Sequence, residues 1–134
     1  MCANHRGGCG KGDKGRGKGK GRFIANYILL IITEKPTYGY DIAMKLDEIG
    51  VEKIEGTGQM GRIYRILSEL ENYGYITSEW DTSKSPPVKV YTVTPLGLEY
   101  LKYALESVKQ ETKMLETFII RCNDVLKKYD SSNE

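Results

Sequence analysis

The chain has 134 residues, of which 20 are Lys or Arg and 18 are Asp or Glu, so its formal net charge is only +2. This length accommodates one domain with a modest core and is too short for two ordinary domains. Its three cysteines, an odd number, argue against a disulfide-stabilised secreted scaffold and favour the reducing cytoplasm.

The N-terminal segment differs sharply in charge from the rest of the chain. Residues 1–22 contain seven Lys or Arg and one Asp, a segment charge of +6, which leaves −4 on the remainder. From Lys11 onward glycine alternates with Lys and Arg, a composition that cannot bury enough apolar surface to fold alone. We therefore predict that residues 1–21 form a disordered basic arm, the kind of segment that is attracted to a polyanion.

The same segment contains side chains that bind metals. Cys2, His5 and Cys9 have the spacing C-x2-H-x3-C, but structural zinc sites use four ligands and only three are present. Two interpretations stay open: a metal or redox sensor at this cluster, or a chance grouping in a glycine-rich terminus. We expect no other cofactor.

An apolar run, FIANYILLII at residues 23–32, follows the arm. It is too short for a membrane span and has no small-residue cleavage site after it, so we expect neither an anchor nor a secretion signal. The run predicts a buried helix that ends near Glu34, before the helix-breaking Pro36. No membrane partner is expected.

The next segment, YGYDIAMKLDEI, predicts a second helix. Thr37 is its expected N-cap and Gly50 its expected stop. The apolar residues that share one face of this helix are Ile42, Leu46 and Ile49.

A third helix is expected from about Gln59 to the closing Gly74. Ile63, Ile66, Leu67 and Leu70 recur at helical spacing and predict its buried face. Its outward side chains divide by charge: Gln59, Arg62 and Arg65 in the first half, Glu69 and Glu71 in the second.

This division of charge suits a helix that enters the major groove of DNA with its N-terminal end. Gln pairs with adenine and Arg with guanine, each bidentate contact contributing about 1–3 kcal/mol of discrimination. Gly58 and Gly61 weaken a helix but permit close approach of the backbone.

Two strands are expected at Tyr75–Asp81 and Val88–Val93, joined by an exposed turn that contains Pro86 and Pro87. Three helices followed by a hairpin describe a winged helix-turn-helix, a mainly α fold with a small β-hairpin (α+β). Lys84 and Lys89 on the hairpin are placed to reach the DNA backbone or minor groove.

The last helix is expected from about Thr94, an N-cap followed by Pro95, to about Tyr129. Apolar positions alternate at intervals of four and three along it, which is a heptad pattern and predicts homodimerisation. Packing of these positions against the first helix is the alternative. We call them the apolar seam: Leu101, Leu105, Val108, Thr112, Leu115, Ile119, Cys122, Leu126 and Tyr129.

Three motifs in order, KPTYGYDIAMKL, MGRIYRILSELENYGYITSEW and PPVKVYTVTPLGLEYL, resemble the PadR family of transcriptional regulators over about residues 23–105. The resemblance, to the short subgroup with one C-terminal helix, implies a dimeric, ligand-responsive winged-helix repressor. It also implies phosphate contacts for Tyr40 and Tyr64 and a wing role for Lys89. The departures are Arg62 in place of Thr, Arg65 in place of Pro, and Val88 in place of the wing Arg.

The charge pattern, the predicted fold and the resemblance together predict the residues that contact DNA: Tyr38, Tyr40, Gln59, Met60, Arg62, Tyr64, Arg65, Lys84 and Lys89. The alternative for the arginines is a solvated face with an Arg65–Glu69 ion pair, and for Tyr40 and Tyr64 a place at the edge of the core. Tyr100, Tyr103 and Phe118 line an effector cavity between dimer helices in one interpretation and are plain packing in the other.

The sequence contains no catalytic constellation, since its single histidine, His5, lies in the arm and no nucleotide-binding glycine loop follows a strand. We therefore expect a cytoplasmic regulator, not an enzyme, that binds a pseudo-palindromic operator as a homodimer. Its expected parts are the arm (1–21), the DNA-binding domain (22–93) and the dimerisation helix (94–130). The alternatives are a non-specific nucleic-acid-binding protein that depends on the arm, and the metal or redox sensor.

Overall fold

A computed structural model describes residues 21–133 of the chain, and the arm with Cys2, His5 and Cys9 lies outside them. The described residues form four helices and a three-stranded antiparallel sheet, so the predicted mainly α winged-helix fold is confirmed. They divide into two compact units, with the boundary between Leu101 and Lys102. In chain order the elements are α1 (21–34), β1 (Thr37–Tyr38), α2 (Gly39–Ile49), α3 (Thr57–Asn72), β2 (Ile76–Asp81), β3 (Val88–Val93) and α4 (Pro95–Asn133).

The hydrophobic core of the first unit is built around α1, the apolar run of the sequence. Ile24, Ile28 and Ile32 are fully buried or nearly so, at spacings that place them on one helical face. Complete burial of such a side chain contributes about 1.5–3 kcal/mol. The inward faces of α2 and α3 pack against them through Ile42, Ala43, Leu46, Ile63, Ile66, Leu67 and Leu70.

The start of α2 corrects one prediction. Thr37 is not the N-cap of this helix; it lies in the short strand β1 and pairs with Tyr91 of β3. Tyr38 takes the N-cap position and makes no side-chain capping bond. The expected two-stranded hairpin is therefore a three-stranded sheet of order β1, β3, β2, which ties the start of α2 to the wing.

The end of α2 is as predicted at Gly50, which adopts a left-handed conformation with φ of 91°. Glycine adopts this conformation without the steric cost that other residues meet. The prediction for Ile49 is wrong, because its side chain is 52% exposed: it lies in the last turn, beyond the reach of the core.

The junction between the sheet and α4 depends on Thr94. Its Oγ1 accepts a hydrogen bond from the Gly97 N–H at 3.0 Å and donates one to the Gly74 carbonyl at 2.6 Å. Thr94 therefore caps α4 as predicted, and Pro95 is the first helical residue. Gly97 is buried against the backbone carbonyl of Tyr75, where a Cβ atom would collide.

None of the helices that the structure describes is long and apolar enough to cross a membrane.

Candidate nucleic-acid interface

The first half of α3 carries the polar surface that the sequence predicts. Arg65 and Tyr64 are exposed, and Gln59 and Arg62 are partly exposed. Met60 is also partly exposed, but it packs against the hydrophobic core. The outward face of this helix therefore has cationic and amide side chains near its N-terminal end.

Gly58 and Gly61 lie on the same surface. A Cβ atom built at either position would meet no described atom within 4 Å. The described residues thus give no steric reason for glycine at these two positions, although a glycine costs about 1 kcal/mol relative to alanine inside a helix.

Arg62 is held by a buried carboxylate that the sequence analysis did not identify. Its Nη1 atom lies 3.2 Å from Glu52 Oε2, and only 6% of the Glu52 side chain is exposed. Glu52 lies in the connection between α2 and α3. Arg62 is therefore not a freely solvated cation.

Arg65 lies in a groove between α1 and α3. This groove, of about 410 Å³, is lined by Arg22, Arg62, Arg65 and Glu69, and we call it the basic groove. Within the described chain Arg65 and Glu69 form no ion pair, so the alternative that pairs them is not what the structure contains. Arg22 was not among the predicted site residues, and it extends the positive surface of α3 onto α1.

A second concavity lies where the start of α2 meets α3 and the wing. It measures about 480 Å³, and we call it the aromatic cleft. It brings together four of the predicted residues with two that were missed. Its defining side chains are Tyr38, Tyr40, Tyr64, Trp80, Lys89 and Tyr91.

Tyr64 crosses from α3 to the start of α2. A Cβ atom at Gly39 would lie only 2.6 Å from Tyr64 Cε1 and 2.7 Å from its hydroxyl oxygen. Only glycine leaves room for the ring here. The phenolic hydroxyl consequently lies next to the first turn of α2, whose free N–H groups favour anions.

The two wing lysines lie beside aromatic rings. The Lys84 ammonium is 5.8 Å from the centroid of the Tyr38 ring, and the Lys89 ammonium is 5.9 Å from that of Trp80. Lys89 also approaches Glu71 Oε1 at 4.0 Å, a distance typical of a weak surface ion pair. Both cations therefore stay close to the aromatic cleft.

Two groups of the wing have shifted pKa values. Burial raises the pKa of Tyr91, and the nearby Glu71 and Tyr64 raise it further. Hydrogen bonds from the Ser83 hydroxyl and backbone N–H lower the pKa of Asp81 at the tip of the hairpin. Because tyrosine is already neutral at physiological pH, the raised pKa of Tyr91 affects its charge only in alkaline solution.

The apolar seam of α4 is mostly uncovered in the single chain. From Leu105 to Arg121 every residue is exposed, and Leu115 is 59% exposed. Two residues of the apolar seam are less exposed than the others. Leu101 packs against the core of the first unit, and Cys122 is half-buried with a free thiol.

The three candidate effector residues have different surroundings. Tyr100 stacks on Tyr75 with ring centroids 4.7 Å apart, and Tyr75 also stacks on Tyr73. Tyr103 and Phe118 are exposed and separated by about 22 Å along α4, at a rise of about 1.5 Å per residue. One chain alone therefore does not bring Tyr103 and Phe118 to one small cavity.

The candidate metal ligands Cys2, His5 and Cys9 lie outside the described residues. Among residues 21–133, no three His, Cys, Asp or Glu side chains are grouped so as to hold a metal ion.

Comparison with protein families decides which kind of protein carries this surface. Residues 28–103, more than half of the chain, match the model of the transcriptional regulator PadR-like family. The chain belongs to the PadR-like family. Members of the family are transcriptional regulators and not enzymes, as the sequence analysis predicted.

Solved structures agree with this assignment. A conserved protein of unknown function, described as a potential transcriptional factor, is 44% identical, with a TM-score of 0.71 over 81% of this chain and 94% of that chain. A PadR-like transcription factor from Bacteroides fragilis is 25% identical, with a TM-score of 0.64 over 78% of this chain and 98% of that chain. A PadR-like regulator from Bacillus cereus is 26% identical, with a TM-score of 0.62 over 71% of this chain and 89% of that chain. Among proteins with curated descriptions, none matches the chain significantly.

Of the residues of this PadR-like site that sequence reasoning missed, Trp80 had a signal in the sequence and Glu52 had none. Trp80 is 64% exposed and pairs across the hairpin with Lys89, so the strand register provided a signal for it. Glu52 had no such signal, because nothing in the run VEKIEGTG distinguishes it from Glu55.

Proposed function

We propose that this PadR-like protein is a sequence-specific DNA-binding regulator that places the first half of α3 in the major groove. The observation that supports this most is the outer surface of α3, which carries Gln59, Arg62 and Arg65. It also carries Gly58 and Gly61, at which a Cβ atom would meet no described atom within 4 Å. An α-helix fits the major groove, and its N-terminal residues are the ones that meet base edges.

The glycines have a physical role in this arrangement. Because a Cβ atom at Gly58 or Gly61 would point into open space, their cost to the helix is not offset within the described chain. Close approach of DNA to the α3 backbone supplies a reason for both.

The aromatic cleft is suited to the DNA backbone. The Tyr64 hydroxyl lies beside the first turn of α2, and Tyr40 and Lys89 line the same cleft. The Lys84 ammonium lies near it, 5.8 Å from the centroid of the Tyr38 ring. Phosphate contacts of this kind set the position of a protein on the duplex and carry no sequence information themselves. We assign Tyr38 to the same role.

We further propose that the protein acts as a homodimer. The exposed part of the apolar seam spans more than four helical turns of α4, and a second copy of the helix covers such a stripe by heptad packing. A two-fold dimer reads a pseudo-palindromic operator with half-sites about one helical turn apart, or a multiple of it. The working division is then a basic arm (1–21), a DNA-binding domain (22–93) and a dimerisation helix (94–130).

Repression and response to an effector are proposed by analogy with the family. Because Tyr103 and Phe118 lie about 22 Å apart on one helix, an effector cavity that uses both needs the second chain. We expect no cofactor, and we place the regulator in the cytoplasm.

Selection of bound duplexes from a random pool at physiological salt tests the function directly. Enrichment of one pseudo-palindromic sequence is the expected result, and light scattering should give the mass of two chains. Enrichment of no sequence, or a single-chain mass with undiminished binding, would contradict the proposal.

Deletion of residues 1–21 separates this proposal from the arm-dependent alternative. The truncated protein should retain its preference for the selected duplex over random DNA, with a weaker dependence on salt. Complete loss of binding would favour the non-specific alternative.

The metal-sensor alternative is tested by titrating zinc and iron into the intact protein and into a variant with both Cys2→Ser and Cys9→Ser. If the affinity for DNA is the same in all these samples, the sensor role is excluded.

A further inference from the structure

The connection between α2 and α3 is fixed by hydrogen bonds to the last turns of α2. The Glu52 N–H donates to the Leu46 carbonyl at 3.3 Å, and the Ile54 N–H donates to Asp47 Oδ2 at 3.2 Å. The left-handed Gly50 starts this return of the chain. Since both bonds anchor the connection to a helix, the backbone on either side of Glu52 has little freedom.

The Glu52 side chain turns inward from this fixed backbone. It is 6% exposed and accepts a hydrogen bond from Arg62 Nη1 at 3.2 Å. A carboxylate removed from water requires a nearby cation and donors, and removing that cation is strongly destabilising. Arg62 is therefore held at a defined place on the second turn of α3.

Arg65, one turn further along, has a different environment. It is exposed, and within the described residues it forms no ion pair. A long cation without a partner adapts to the nearest phosphate, and such contacts strengthen binding to all sequences alike. The two arginines of this helix thus differ in how firmly they are oriented.

Orientation matters because of the shape of the guanidinium group. It is a planar fork with five N–H donors, and guanine offers it two acceptors, O6 and N7, in a fixed geometry. Glu52 engages Nη1, while 40% of the Arg62 side chain remains exposed. A guanidinium already held in one plane loses less conformational freedom when it meets a base.

We propose that Glu52 is a positioning residue that makes Arg62 a reader of a base pair and leaves Arg65 to the phosphate backbone. This inference rests on the proposed function, because it assumes that α3 enters the major groove. The buried carboxylate has a second effect: its negative charge disfavours a phosphate at the place where Arg62 lies.

The test compares Glu52→Gln with Glu55→Gln. The first keeps an oxygen acceptor for Arg62 and loses the charge; the second removes the same charge from an exposed residue of the same connection. Duplex selection from a random pool is run on both, on the wild type and on Arg62→Ala. In the wild type we expect one base pair with a guanine preference of about tenfold or more.

At that base pair, Arg62→Ala and Glu52→Gln should both reduce the guanine preference to about threefold or less. The base preferences at all other positions of the duplex should stay as in the wild type. Glu55→Gln should give the wild-type profile. In Glu52→Gln the released Arg62 is free to neutralise a phosphate, so the slope of log K against log salt on random DNA should steepen by about 0.9. If Glu52 had a purely structural role, Glu52→Gln would lower the affinity for every duplex. It would not change the salt slope, and it would not reduce the base preference at one position alone.

A Glu52→Gln profile and salt slope equal to the wild type, or a loss spread evenly over all positions, would overturn the proposal. If Arg62→Ala does not fold, as judged by circular dichroism, Arg62→Lys replaces it, because it keeps a cation beside Glu52 but lacks the guanidinium fork. If Glu52→Gln does not fold, Glu52→Asp replaces it. This variant keeps the charge but withdraws the carboxylate from Arg62, and it should lose the same single preference. A wild-type protein that selects no sequence would instead refute the proposed function, so the two failures are distinguishable.

Discussion

The substitution Gly61→Ala separates the stability of α3 from its role in DNA binding, because the two effects should have opposite signs. A Cβ atom at position 61 meets no described atom within 4 Å, so the folded chain accommodates it without strain. Alanine then stabilises the helix interior by about 1 kcal/mol relative to glycine. For a chain of this size that gain corresponds to a rise in Tm of about 4 °C.

The same methyl group should weaken binding to the selected duplex. Extra volume in a well-packed contact costs about 1–3 kcal/mol, which raises Kd by about 5- to 150-fold. Tm is measured by circular dichroism at one fixed protein concentration, since dimerisation makes it concentration-dependent. Fluorescence anisotropy with a labelled duplex gives Kd.

Ser107→Ala is the matched control. Ser107 is exposed on α4 and lies outside the apolar seam, so alanine should stabilise the helix there with no change in Kd. If Gly61→Ala raises Tm and leaves Kd unchanged, DNA does not approach α3 closely, and the reasoning from the two glycines is refuted.

Three further predictions concern the packing, the assembly and the wing. Gly97→Ala should lower the free energy of unfolding in urea by about 1–3 kcal/mol, because the new methyl meets the rigid Tyr75 carbonyl; an unchanged value would contradict the contact. Leu115→Asp should halve the mass measured by light scattering, since it puts a charge into the apolar seam, whereas an intact dimer would exclude this seam as the interface. The pKa of Tyr91 is higher in the folded chain than in the unfolded one, so the unfolded chain loses the phenolic proton first as pH rises. The free energy of unfolding of the wild type should therefore fall as pH rises past about 10. Tyr91→Phe should show a smaller fall between about pH 8 and about pH 10.5. Urea denaturation measures this fall in both proteins, and an equal fall would show that the Tyr91 phenol contributes nothing to it.

Much of the fold was predictable because its boundaries depend on local chemistry. Gly50 ends α2, and Thr94 with Pro95 begins α4, through conformations and caps that involve only neighbouring residues. The buried face of α3 followed from its periodicity for the same reason.

The parts that were missed depend on residues distant in the chain. Thr37 suits both an N-cap and a strand, and its pairing with Tyr91, 54 residues away, decides between them. The burial of Glu52 likewise depends on where α3 brings the Arg62 guanidinium. Local patterns carry no information on such tertiary contacts, so the candidate site was predicted as a set of side chains without the ion pair that orders one of them.

Trp80 gives the protein an optical reporter of its own docking surface. It is the chain's only tryptophan and it is largely exposed at the aromatic cleft, so the tryptophan emission of the free protein, excited selectively over its tyrosines, comes from a single, largely hydrated indole. A duplex bound against the wing would remove water from that ring and change the wavelength and intensity of its emission. Association is therefore observable on the unlabelled, unmodified chain in real time.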